Sequence, residues 1–159
     1  MEFFMWLEAT SFADWVRTSS VAYPTILTIH ALGMGIMTGL SWFISLRVLG
    51  RFPMIPISYL RPLFAISWFG FGINFISGGA LFTSQAASNY VHNVPYLTKM
   101  AFVLIGAISI AYLQTAVSRV GEPAGSAVVL PQSARIVAGF AIFFWLAAIV
   151  TGRLIAYLT

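Results

Sequence analysis

Four uninterrupted apolar runs decide what this chain can fold into. They extend over about Ala22 to Leu46, Leu63 to Thr83, Tyr96 to Val117 and Ile136 to Leu158. A helix that crosses the hydrocarbon core of a bilayer needs roughly 20 mostly apolar residues. Inside that core every backbone amide must be satisfied by the segment itself, which leaves helices or closed barrels, and these runs are too long and continuous for barrel strands. Composition points the same way. Hydrophobic residues make up 60% and charged residues 8%, whereas a soluble domain carries about 25% charged residues. Eight basic and four acidic side chains cannot clothe a soluble surface. A net charge of +4 spread this thinly gives no electrostatic footprint for nucleic acid. The chain has no cysteine, which removes disulfides, thiolate nucleophiles and metal–thiolate sites.

The runs are separated by short gaps rich in arginine, proline and glycine, or, in the second gap, in Asn89, His92 and Asn93. Short connections make neighbouring helices antiparallel. The expected fold is therefore all-α: an integral membrane, four-transmembrane-helix up-down bundle forming a single domain over residues 1–159. Residues 1–20 lack the basic start and small-residue cleavage site of a signal peptide. They carry Trp6, Trp15, Glu2, Glu8 and Asp14. That mixture reads either as one or two short helices lying in the membrane interface or as a merely ordered arm. Basic residues favour the cytoplasmic side. The first and third gaps hold Arg47, Arg51, Arg61, Arg119 and Arg135, against Arg17, Lys99 and Arg153 on the other side. This predicts a multi-pass protein of a bacterial inner membrane with both termini outside.

Ionisable groups inside a span cost about 2.5 kcal/mol or more at its centre and need a reason to be there. His30 lies eight residues into the first run, about 12 Å below the outer surface. Asn74 lies at a similar depth in the second run, which permits a hydrogen bond between them. Lys99 opens the third run, Arg153 closes the fourth, and His92 sits in the connector on the same side. His30 has three readings: a neutral core histidine held by Asn74 or a backbone carbonyl, an axial ligand to haem b, or a metal or proton site. Met34 and Met37 follow it on the same helical face, and thioethers with imidazole suit copper(I), although methionine also fills irregular cores. Gly33, Gly35, Gly39, Gly70, Gly72, Gly78 and Gly79 either permit close helix packing or leave room for a flat macrocycle. Lys99 and Arg153 either snorkel to the interface or pair with carboxylates, which are haem propionates or Glu8 and Asp14. His92 reads as an exposed loop histidine or a second haem ligand. No catalytic constellation is visible, and the spans contain no Asp or Glu for a proton relay.

The order Trp6-Leu7-Glu8, Trp15-Val16-Arg17, Tyr23-Pro24, His30-Ala31-Leu32-Gly33, Leu46-Arg47-Val48-Leu49-Gly50, Asn93 and Lys99-Met100 resembles a family of small bacterial four-helix membrane proteins of unknown function. The likeness covers about residues 5–118. The family's usual Asn-Pro pair is spaced here as Asn93-Val94-Pro95. The resemblance implies that His30 and Lys99 matter and transfers no activity. A looser likeness joins copper-resistance membrane domains and four-helix b-type cytochromes, which use histidines in apolar helices. The functional expectations are accordingly a haem-b electron-transfer or quinone-linked subunit, a cofactor-free structural or accessory subunit, or a copper site at His30, Met34 and Met37. Each is expected to act as a homo-oligomer or within a larger membrane complex.

Overall fold

The computed structural model describes residues 2–85, 90–120 and 130–158, with side chains as far as Ile155. Two short helices, α1 (Glu2–Glu8) and α2 (Ser11–Thr18), precede four long ones: α3 (Ala22–Val48), α4 (Leu60–Ser84), α5 (Val94–Ser118) and α6 (Gln132–Leu158). All four long helices contain a stretch long and apolar enough to cross a membrane. A single 3-10 turn, Ile57–Tyr59, leads into α4, and there is no strand among the described residues. The N-terminal segment is thus two helices rather than an extended arm. The connector positions 86–89 and 121–129, Asn89 of the second gap included, lie outside the described residues.

Side-chain chemistry explains where α2, α3 and α5 begin. Thr10 caps α2 by accepting a hydrogen bond from the Ala13 amide at 3.2 Å. Ser19 does the same for Ala22 at 3.1 Å, at the start of α3. Asn93 caps α5, accepting from the Tyr96 amide at 3.0 Å. Pro95 follows in the first turn, where its missing N–H costs nothing because that donor has no partner inside the helix.

Small residues mark the inward faces. On α3 the buried positions include Gly33, Met37, Ser41, Ile44 and Val48, which recur at three- and four-residue steps. On α5 they include Gly106, Ile110, Leu113 and Val117. On α6 they are Ala134, Ala138, Ala141, Trp145 and Ala148. Large apolar side chains point the other way: Leu32, Phe69, Phe75, Ile76, Leu104, Ile108 and Phe143 are all exposed. This inverted distribution suits lipid, where helices associate through close packing rather than through escape from water.

α3 packs most closely on α4, and α5 on α6; the two hairpins meet chiefly through α3 and α6. At the α3–α4 crossing the backbones touch. A Cβ on Gly33 would lie 2.8 Å from both the Asn74 amide nitrogen and the Gly70 carbonyl oxygen. At the α5–α6 crossing a Cβ on Gly106 would lie 2.9 Å from the Trp145 ring. The continuous apolar core is confined to the half of the bundle remote from α1 and α2. It is built from Ile44, Val48, Ile57, Leu60, Phe64, Ile110, Leu113, Val117 and the alanines of α6. Two hydrogen bonds tie that half together, Trp68 Nε1 to Gln114 Oε1 at 2.8 Å and Tyr112 Oη to Ser133 Oγ at 2.9 Å.

Candidate functional site

The opposite half, beneath the N-terminal helices, is where the polar groups gather. The His30 ring lies against α4. Its Nδ1 is 3.0 Å from the Asn74 carbonyl oxygen and 3.2 Å from Ser77 Oγ. A carbonyl can only accept, so Nδ1 carries the proton and the unprotonated Nε2 is the ring's acceptor. Asn74 answers with its own side chain, donating Nδ2–H to the His30 carbonyl oxygen at 2.9 Å. The same Nδ2 stands 3.4 Å from Nε2. The expected His30–Asn74 contact is therefore reciprocal, each side chain meeting the other's backbone. It depends on the Gly33–Gly70 contact one turn away, which brings the two backbones close enough. Gly78 completes the seat, since a Cβ there would be 3.0 Å from His30 Cε1.

Lys99 faces the same region from α5. Its stem passes over α6, with Cδ, Cε and Nζ all 3.4–3.5 Å from where a Gly152 Cβ would stand. It is half-buried. Above it lies an aromatic wall. Tyr96 and Tyr90 pack with ring centroids 4.9 Å apart, Phe82 stacks on both at 5.8 and 6.0 Å, and Phe4 of α1 meets Phe82 edge-on at 6.1 Å. Burial, and then the neighbouring Tyr23 phenol, push the Tyr90 hydroxyl above its ordinary value. The wall is therefore neutral at physiological pH and supplies no phenolate to Lys99.

Other sequence candidates do not join this group. Arg153 is exposed on α6 and His92 is exposed in the turn before α5. The expectation that Glu8 or Asp14 meets Lys99 or Arg153 is corrected: Arg17 takes both, Asp14 at 2.9 Å and Glu8 at 4.0 Å. The i,i+3 spacing of Asp14 and Arg17 favours that local pairing. These are the ion pairs found among the described residues, so Lys99 has no carboxylate within reach there. Met37 is buried in the α3–α4 packing, and its sulfur accepts a hydrogen bond from Ser67 at 3.1 Å. Met34 is half-buried. Ser77, Gly152, Phe82, Tyr90 and Tyr96 were not singled out by the sequence. Helical spacing from Asn74 and Lys99 carries a signal for Ser77 and Tyr96 only, three residues away in each case.

A haem held by His30 needs an open Nε2, space for a plane, and normally a second ligand. Here Nε2 faces the Asn74 amide, the glycine positions Gly33 and Gly70 are filled by the facing helix, and Gly78 is filled by the imidazole itself. These residues do not fit a macrocycle at His30. Among the described residues no group of three or more His, Asp or Glu side chains is placed to hold a metal ion. Compared with models of known families, with characterised proteins and with solved structures, the chain matches none.

Proposed function

We propose that this chain is a small multi-pass subunit of a bacterial inner membrane, with both termini outside, that holds an amphipathic molecule drawn from the bilayer. The observation that carries this reading is Lys99: a half-buried ammonium inside an apolar helix, laid against Gly152 of α6, with no carboxylate partner among the described residues. An ammonium in that position is costly, and a bundle serving only as scaffold would be more stable with an apolar side chain there. A ligand oxygen on Lys99 offsets the cost. The aromatic wall of Phe82, Tyr90 and Tyr96 suits the apolar part of the same molecule. The orientation rests on the five arginines at one end of the bundle against three basic residues at the other.

The chain supplies binding rather than catalysis, and the reading includes assembly as a subunit. Gly35 and Gly39 face away from the bundle with no atom within 4 Å of either added Cβ, which is the spacing that lets a second transmembrane helix approach. The test is native mass spectrometry of the protein released from lipid nanodiscs into mild detergent. One amphiphile per chain, retained in the wild type and lost in Lys99→Gln, is expected. A wild-type chain that emerges bare under the mildest conditions overturns the reading. The optical spectrum and metal content of the same sample test haem and copper separately: a Soret band or stoichiometric copper lost in His30→Ala replaces this reading with a redox one.

A further inference from the structure

Resting on that reading, we infer the chemical class of the ligand: a single oxyanion on a hydrocarbon tail, its oxygen bound by Lys99 Nζ and its tail passing the aromatic wall into the bilayer. The inference starts from charge. Around Lys99 the described neighbours are an uncharged Gly152 on α6 and, one helical turn away on α5, the Tyr96 ring that packs on Tyr90. The carboxylates of Glu8 and Asp14 lie with Arg17 instead. The spans themselves contain no Asp or Glu. Among the described residues no carboxylate compensates the Lys99 charge, which favours an anion over a neutral head group. An ammonium-to-oxyanion bond is also roughly twice as strong as one between neutral groups.

Depth limits the anion's shape. Lys99 is five residues inside α5, about 8 Å along the axis, and its stem runs beside Gly152, with Cδ, Cε and Nζ 3.4–3.5 Å from where a Cβ there would stand. A free inorganic ion would have to shed its hydration to arrive there, whereas a head group carried on a tail is brought to that depth by burial of its own chain.

The same chemistry has two sources, a phospholipid phosphate or a free fatty-acid carboxylate, and one titration separates them. The probe is cis-parinaric acid, with its methyl ester as the uncharged control, bound to the full chain in detergent and read by fluorescence. The wild type is expected to bind the acid at least tenfold more tightly than the ester. Lys99→Gln should bring the acid down to the ester's affinity, and Lys99→Arg should keep the preference. Displacement by phosphatidylglycerol assigns the site to phospholipid phosphate; resistance to it assigns the site to carboxylate. Equal binding of acid and ester by the wild type overturns the inference while leaving the binding reading standing. Absence of saturable binding by either probe, with a bare chain in native mass spectrometry, overturns both. The acid–ester contrast is made on the wild type, so it holds even if Lys99→Gln fails to fold.

Discussion

The two halves of the bundle are built from the same helices but on opposite terms. Remote from the N-terminal helices, Phe64, Ile44, Leu60, Ile110 and Leu113 are almost wholly buried and knit all four long helices together. Beneath the N-terminal helices, α3 and α4 stay locked by the Gly33–Gly70 contact and the His30–Asn74 exchange, yet Lys99, Tyr96, Tyr90 and Gly152 are only half-buried. One half provides stability. The other holds polar groups in place and leaves them within reach. A bundle with two such ends can anchor a demanding site without filling it.

Substitutions can break this contrast. The largest effect is expected at Gly33→Leu, because its first added carbon already overlaps backbone atoms of α4 at 2.8 Å. Overpacking of this kind costs about 3 kcal/mol, and the obstacle is backbone that cannot swing aside. It should be seen as a collapse of the thermal midpoint in detergent together with loss of probe binding. Phe64→Ala comes next. Lipid is as apolar as the core, so the transfer term is small, and the cavity alone sets a cost of about 2 kcal/mol. That variant should lose stability while keeping its ligand preference. Asn74→Ala should cost about 1 kcal/mol, the usual size of a hydrogen bond between membrane helices. It should leave ligand binding nearly unchanged, since the imidazole keeps its contacts with the backbone carbonyl at position 74 and with Ser77. Gly35→Ala is expected to change monomer stability by less than about 0.5 kcal/mol, because nothing stands within 4 Å of its added carbon. A large effect there would mean that the open face of α3 is already occupied.

Much of this architecture is legible in the sequence, for a physical reason. Crossing a bilayer demands long apolar runs, and those runs alone locate α3 to α6 to within a few residues. Helix faces are harder to read. The four spans are apolar all round, so hydrophobic periodicity is nearly silent, and the inward side is marked by Gly33, Ser41, Ser67, Gly70 and Ala138 instead. Matching depths suffice to pair His30 with Asn74. They do not reveal that the bonds run to backbone, because that depends on how closely two glycines let the helices approach. The neighbour of Lys99 on α6 is illegible for a related reason: Gly152 reaches it from another helix. Glu8 and Asp14 fail as its partners because a local pairing with Arg17 competes at shorter range.

The contrast between the halves is tested most directly by thiol accessibility, for which the chain is ready-made because it contains no cysteine. Gly152→Cys places a thiol beside Lys99, whose cation also favours the reactive thiolate. Ser67→Cys places one in the closed α3–α4 packing beside Met37. A small water-soluble methanethiosulfonate should modify position 152 from the side that carries the N-terminal helices, and should be blocked there by bound parinaric acid, while position 67 stays unreactive. Modification at position 67 with silence at position 152 would contradict the placement of an open polar site above a dry, packed half.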